Sequence, residues 1–244
     1  MNALVFSRPP PRYRVPHDRV GIRLIIAAHL AVTRAFDIIR REAKSLAAAN
    51  ENQVTELLED VLENRIRNRG LVESFDTGSF GPVSRGSEVV NYNGAKISKK
   101  PDLIFKLRRE HRTDWDQRQD ALFAECKPVD KNHKLKDHYC AVAKDCTGIE
   151  RFVIGDYAWA MEEALMIGYV RDGLQIDPHL AEALQDPVRR LGLGNPTPLE
   201  TTKLSGPDGG ACDLHQTTHQ RIFSWASGEP ASPIILFHSW HDCA

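Results

Sequence analysis

Apolar residues recur at helical spacing in the first third of the chain and in short alternating or continuous runs after it. Ile22, Ile25, Ile26, His29, Leu30, Val32, Phe36, Ile39 and Leu46 predict a helix from about Asp18 to Ala49. The segment before it, residues 1–16, carries Pro9, Pro10, Pro11 and Pro16 among arginines and predicts an extended arm. Asn50 reads as a break and an N-cap for a second helix over about 51–68, with Val54, Leu58, Val61, Leu62 and Ile66 as its apolar stripe and Gly70 as its end. Residues 71–100 hold turn signals at Gly78, Gly81-Pro82, Gly86 and Asn93-Gly94. The last of these, between Val89–Tyr92 and Ala95–Ile97, predicts a hairpin. Two short strands follow, one opened by Pro101-Asp102 and running through Leu103-Ile104-Phe105, the other spanning Ala121 to Pro128, with a polar loop over 110–120 between them.

The second half predicts a helix around 133–146 broken by Gly148, and another over Asp156–Glu163. A continuous apolar run, Ala164–Val170, then reads as a buried strand. A short helix over 177–186 and a Gly/Pro-rich loop over 187–210 come next. A terminal hairpin closes the pattern, made of Leu214–Phe223 and Ile234–Trp240 around Gly228-Glu229-Pro230. The organisation expected is an arm and helix over 1–49, a core over 50–170 and an extension packed on it over 171–244.

Length and composition bound this picture. The 244 residues suffice for one large domain or one core with extensions, and 41% hydrophobic with 27% charged residues is ordinary for a globular chain. The longest apolar run, Leu24–Val32, is interrupted by His29 and flanked by Arg23 and Arg34, so no membrane span is expected, and it lies too late for a signal peptide. Five cysteines (126, 140, 146, 212 and 243) follow no framework spacing and read as reduced thiols of a cytoplasmic protein.

Net charge is −1, but its distribution is uneven. Residues 1–49 hold nine Lys/Arg against three Asp/Glu, and residues 94–144 hold thirteen against eight. Residues 150–244 hold six against thirteen. The basic excess therefore lies in the arm and around the two strands, with Lys99 and Lys100 before them and Lys131 and Lys134 after them. Such a distribution suits a polyanion, because phosphate contacts supply most non-specific affinity for nucleic acid.

The strand over 121–128 carries the chemistry. Residues two apart share a strand face, so Glu125 and Lys127 project together while Leu122, Ala124 and Cys126 face the other way. An acid and a lysine on one face of an apolar strand are costly to bury unless something compensates, and a divalent cation with a phosphate would do so. Asp102 on the neighbouring strand would supply a second carboxylate. Asp114 and Asp116 form a competing acid pair, read as solvated on their charged loop. On the second helix Glu51 lies three residues before Val54 and seven before Leu58, on the inward stripe, whereas Glu56, Glu59 and Glu63 fall opposite.

Pro101-Asp102 followed by Glu125-Cys126-Lys127 resembles the PD-(D/E)xK nuclease superfamily over about residues 50 to 170. The resemblance implies an α/β, restriction-endonuclease-like core with a central mixed sheet flanked by helices, here with an N-terminal helical extension and a C-terminal β-hairpin. It implies a helix as the crossover between the strands at 123–127 and 164–170. It also implies a Mg²⁺-dependent endonuclease of DNA, with Mn²⁺ as a substitute. Asp102 and Glu125 would ligate the metal, with the Cys126 carbonyl as a third ligand, and Lys127 would act on the attacking water and the transition state. Many members place an acid on the helix before the first core strand, and Glu51 is the residue here that could fill that place. Restriction or antiphage defence, repair and recombination all use this fold; the compact chain without a helicase or ATPase motif points to prokaryotic defence, as a homodimer or with a partner protein in a defence complex.

Two rival functions remain at this stage, a catalytically silent nucleic-acid-binding or scaffold protein of the same fold, and an RNA nuclease. Separately, Cys212, His215, His219, His238, His241 and Cys243 would permit zinc, although their spacing matches no zinc module. His219 and Arg221, two apart, would permit a phosphate contact instead.

Overall fold

The structure, a computed structural model, describes residues 13–42, 46–142, 147–206 and 209–244. It is an α/β fold built on one mixed sheet. Helices α1 (Ile22–Glu42) and α2 (Glu51–Asp60) precede strands β1 (Phe80–Arg85), β2 (Leu103–Leu107) and β3 (Ala121–Val129). A one-turn helix α3 (Glu150–Val153) leads to β4 (Glu163–Val170), and a second, α4 (Ala181–Leu184), leads to β5 (Glu200–Thr202), β6 (Leu214–His219) and β7 (Ile234–Asp242). The sheet order is β1-β2-β3-β4-β7-β6-β5. Strands β3, β4 and β7 are mutually parallel, and the remaining pairings are antiparallel.

Every residue of β3 and β4 is buried, as expected for central parallel strands covered on both faces. One face packs under α1 and α2. There the Phe36 ring stacks on His241 at 4.5 Å between centroids and meets Tyr169 at 5.7 Å, and Thr55 Oγ1 lies 2.9 Å from the Tyr169 hydroxyl. The other face lies under the crossover between β3 and β4, where Tyr139, Phe152 and Tyr157 are fully buried.

Helix α2 begins where Asn50 predicts. The Asn50 side chain accepts the Gln53 N–H, and the Gln53 side chain accepts the Asn50 N–H, both at 2.9 Å, forming a capping box. The helix continues as a π turn over Val61–Ile66 and a 3₁₀ turn over Arg67–Arg69, and ends at Gly70 in the left-handed conformation (φ 58°).

Three expected elements differ. The Asn93-Gly94 turn forms, but its flanks make only the isolated Val89–Lys99 bridge. The strand that pairs with β2 is β1, inside the segment read as turns. Its Gly81-Pro82 is tolerated because β1 is an edge strand with a bulge between Phe80 and Val83. The helix expected over 133–146 is a series of turns through Cys140, and residues 143–146 lie outside the described residues. Asp130 accepts the Asn132 and His133 N–H groups, giving the backbone a local alternative to a helix. The crossover helix is instead α3, and the helix expected over 156–163 is a turn region in which Ala158 has φ 53°.

The Leu214–Trp240 hairpin forms as β6 and β7, and β7 pairs along its length with β4, so the hairpin continues the central sheet. The loop expected over 187–210 contains the short β5. In the row Lys127–Gly168–Trp240 across β3, β4 and β7, the Trp240 indole lies over Gly168, and a Cβ there would sit 2.5 Å from its ring. Gly168→Ala should therefore destabilise the fold by about 1–3 kcal/mol through overpacking, measured as a fall in urea midpoint with unchanged m-value.

Candidate functional site

Strand β3 outruns β2. The last β2–β3 pair is Leu103 with Ala124, and beyond it no strand among the described residues covers the β2 side of Glu125–Val129. Asp102, just before β2, continues the ladder with its side chain: Oδ2 accepts the Cys126 N–H at 2.7 Å. The uncovered edge admits the first residue of α2, whose Glu51 carboxylate reaches Lys127. The capping box fixes that first turn, which aims Glu51 inward.

Three carboxylates thus converge on one ammonium. Lys127 Nζ lies 3.0 Å from Glu51 Oε1, 3.1 Å from Glu125 Oε1 and 3.5 Å from Asp102 Oδ2. Glu125 is wholly buried and Lys127 nearly so, while Asp102 and Glu51 border solvent. Two residues not singled out from sequence complete the cluster. The Tyr157 hydroxyl donates to Glu125 Oε2, and Arg151 Nη1 lies 3.4 Å from Glu125 Oε1. The Arg151 guanidinium also stands over the Tyr157 ring, 5.9 Å from its centroid. Both come from the crossover after β3. A Gly-Ile-Glu-Arg…Asp-Tyr stretch has no spacing that marks it without the fold.

The charges perturb one another. Burial first, and the nearby Glu125 after it, raise the Asp102 carboxyl to about 7 against the opposing pull of Lys127. Burial works against the charge of Lys127, but Glu125, Asp102 and Glu51 together hold its pKa above the usual lysine range. The Cys126 thiol, on the opposite face near Tyr169, is raised well above its ordinary value by burial, so only its backbone takes part in the site. Formally the cluster sets three carboxylates against two cations. Glu125 Oε1 is close to Lys127 and Arg151 but out of hydrogen-bonding line with any donor. An excess anion, an unaligned buried acceptor and an all-oxygen donor set suit a hard cation, and such an ion would share these carboxylates with Lys127 Nζ.

The basic residues expected around the site divide. Lys99 bonds to the buried Asp156, whereas Lys100 stands at the surface, 3.3 Å from the equally exposed Glu88. Lys131 and Lys134 are exposed. Asp114 is exposed, but Asp116 is buried and bound to Arg118, which corrects the reading of that pair as solvated. Glu63 does not face outward either: it binds Arg67 and accepts the Val83 N–H at 2.9 Å.

The C-terminal histidines and cysteines do not converge. His238 and His241 fall on opposite faces of β7. His238 joins Thr217 and Tyr139 on the crossover side, whereas His241 joins Ser239 and His29 under α1. Cys212 lies 3.1 Å from His29 Nε2. Among the described residues no group of three or more His, Cys, Asp or Glu is arranged to hold a metal ion as it stands, and this includes Glu51, Asp102 and Glu125, whose carboxylates all face the Lys127 ammonium. His219 and Arg221 are buried as well. His219 bonds to Thr217 and to the Leu193 carbonyl, and Arg221 donates to the carbonyls of Ala158, Trp159 and Met161, so neither is placed to meet a phosphate. No helix among the described residues is long and apolar enough to cross a membrane.

Comparison with protein-family models, with curated proteins and with solved structures finds no match to this chain.

Asp102 sets a pH dependence for the metal-free protein. Its folded pKa of about 7 exceeds the unfolded value near 3.8, so between these limits the native state holds a proton that the unfolded chain has lost. Stability from this group is complete below pH 4 and falls as pH rises through 7. Asp102→Asn is neutral throughout. Its stability relative to wild type should therefore climb from pH 4 to 7 and level off above, by on the order of 1–3 kcal/mol, in urea titrations with EDTA. A difference independent of pH would contradict the assignment.

Proposed function

We propose that this protein is a metal-dependent phosphodiester hydrolase acting on DNA, with a restriction-endonuclease-like core of the PD-(D/E)xK type. The observation that carries this reading is the convergence of Glu51, Asp102 and Glu125 on Lys127 at the uncovered edge of β3. Phosphodiester hydrolysis is slow because an anion repels hydroxide and the alkoxide leaves poorly. Asp102, Glu125 and Glu51 would hold Mg²⁺ or Mn²⁺, which when bound supplies charge neutralisation and a more acidic water.

The chain's own residues do the rest. Lys127, whose pKa is held high, keeps its proton and offers positive charge to the phosphate oxygens as they gain charge in the transition state. Tyr157 fixes the rotamer of Glu125 by occupying Oε2, which leaves Oε1 turned to the site. Arg151 offsets the excess of carboxylate beside it. Lys131 and Lys134 supply exposed positive charge for the backbone of the substrate.

The second reading is a catalytically silent nucleic-acid-binding or scaffold protein. What favours it is that the Lys127 ammonium already pairs with all three carboxylates. Incubation with plasmid, linear duplex and single-stranded DNA and with RNA, with and without Mg²⁺, separates these readings and the choice of nucleic acid.

Asp102→Ala and Glu125→Ala should each abolish cleavage while preserving the circular dichroism spectrum; full activity in either would remove that residue from the site. Lys127→Met keeps much of the stem and removes the charge. It should lower turnover by about 10²–10³-fold, with DNA affinity nearly unchanged. A strong loss of affinity in a protein that cleaves nothing would make Lys127 a docking contact.

Glu51→Gln should reduce Mg²⁺-dependent cleavage far more than Glu56→Gln or Glu59→Gln, since Glu51 alone of the three bonds to Lys127. Equal rates in all three variants would exclude Glu51.

A further inference from the structure

A cavity of about 760 Å³ opens where α2 begins and where β3 and β4 end. Glu51, Pro128, Asp130, Lys131, His133 and Arg171 are among its walls. Glu51 also touches Lys127 at 3.0 Å, so one side chain separates this space from the charge cluster.

Asp130 is the fixed point of the cavity. It accepts the backbone N–H groups of Asn132 and His133 and the His133 ring Nδ1, each at 2.9 Å, and Arg171 Nη1 lies 3.1 Å away. Burial disfavours its charge, yet the hydrogen bonds from His133, Arg171 and Asn132 hold it down at about 2, so it is ionised. A carboxylate only accepts, so His133 Nδ1 carries a proton; Nε2 is left for another partner, as an acceptor in the neutral ring and as a donor in the imidazolium. Arg171 Nη2 donates to the Ala49 carbonyl at 2.5 Å, tying the end of β4 to the residue before the α2 cap. The walls are therefore locked to one another, while the His133 ring is part-exposed.

The acids around the cavity are already engaged: Glu51 by Lys127, Asp130 by Arg171 and His133, and Asp172 by the Lys131 backbone N–H at 2.6 Å. Among the described residues no carboxylate pairs with the Lys131 ammonium. The Lys131 ammonium, and His133 Nε2–H when the ring is an imidazolium, are thus charged donors the cavity offers an anion, and the positive end of the α2 dipole adds to their field.

We propose that this cavity is a phosphate subsite, which takes the DNA phosphodiester adjacent to the one held at Lys127, with Lys131 and His133 as its contacts and Asp130 as a positioning residue. The proposal rests on the nuclease reading and adds to it the place of a second phosphate. A strand entering the site lays its neighbouring phosphate against Lys131 and His133, and the pair sets which linkage lies at the charge cluster.

The test is binding of short single-stranded oligonucleotides to the full chain in Ca²⁺, followed by fluorescence anisotropy as salt is varied. Lys131→Gln should weaken binding several-fold and reduce the salt slope by about one, the signature of one lost phosphate contact. A neutral methylphosphonate is then placed at each linkage in turn. At one linkage beside the scissile one, wild type should lose affinity several-fold and the Lys131→Gln/His133→Asn protein should lose no more, as expected of a coupled pair. The Lys131→Gln protein should keep the wild-type urea midpoint, so that its loss of affinity is not a loss of fold. Additive losses at every linkage, or an unchanged salt slope, in a protein that still cleaves DNA would overturn the subsite alone. A wild-type protein that neither binds nor cleaves DNA would overturn the nuclease reading and the subsite with it.

Discussion

Lys127 can sit inside this protein only because carboxylates from three separate elements surround its ammonium. Moving such an ion out of water costs several kcal/mol even after relaxation, and removing a partner from a buried pair costs about 3–5 kcal/mol. The surrounding structure is arranged to keep those partners in place. The capping box at Asn50 fixes the first turn of α2 and so Glu51, the Cys126 N–H holds Asp102, and Tyr157 holds Glu125. The gap beside β3, where β2 stops short, lets the three approach. Burial and the neighbouring Glu125 carboxylate together raise Asp102 to about 7. A fold that only needed stability would be better served by apolar side chains at these positions, which is why the cluster is read as functional.

Elsewhere the protein buries polar groups without leaving charge. On the crossover face a chain of hydrogen bonds runs from the Leu193 carbonyl through His219, Thr217 and His238 to Tyr139. On the helix face His29, Ser239 and His241 form a second one. Burial pulls all four of these histidines well below the ordinary histidine range, so they are neutral where the protein is folded at pH 7. Both networks pin β7, and they account for the polar residues in a strand that is otherwise central and apolar.

What could be read from sequence was local and periodic. The stripe of α2, its Asn50 cap and Gly70 end, and the runs of β3 and β4 all follow from side-chain spacing. So did the shared face of Glu125 and Lys127 and the inward aim of Glu51. Strand β1 was hidden because Gly81-Pro82 is a turn signal, and only its place at the sheet edge makes it tolerable. The crossover was misread because Asp130 diverts the backbone that a helix would have used. Arg151 and Tyr157 could not be found, since no period relates them to Glu125. The histidines near the end would permit a metal only if they shared a face, and strand alternation sends His238 and His241 to opposite faces.

The placement of β7 has a consequence during synthesis. Its residues enter the sheet beside β4, and Glu163 waits for Ile235, which is translated roughly seventy residues later. At about 5–20 residues per second the ribosome needs roughly 4–14 s to cover that distance. Throughout that interval the nascent chain carries β4 with one edge unpaired, and every residue of that strand is one the finished protein buries. The strands that bear the acidic cluster can assemble first, but they do so next to an adhesive ribbon that only a much later segment covers.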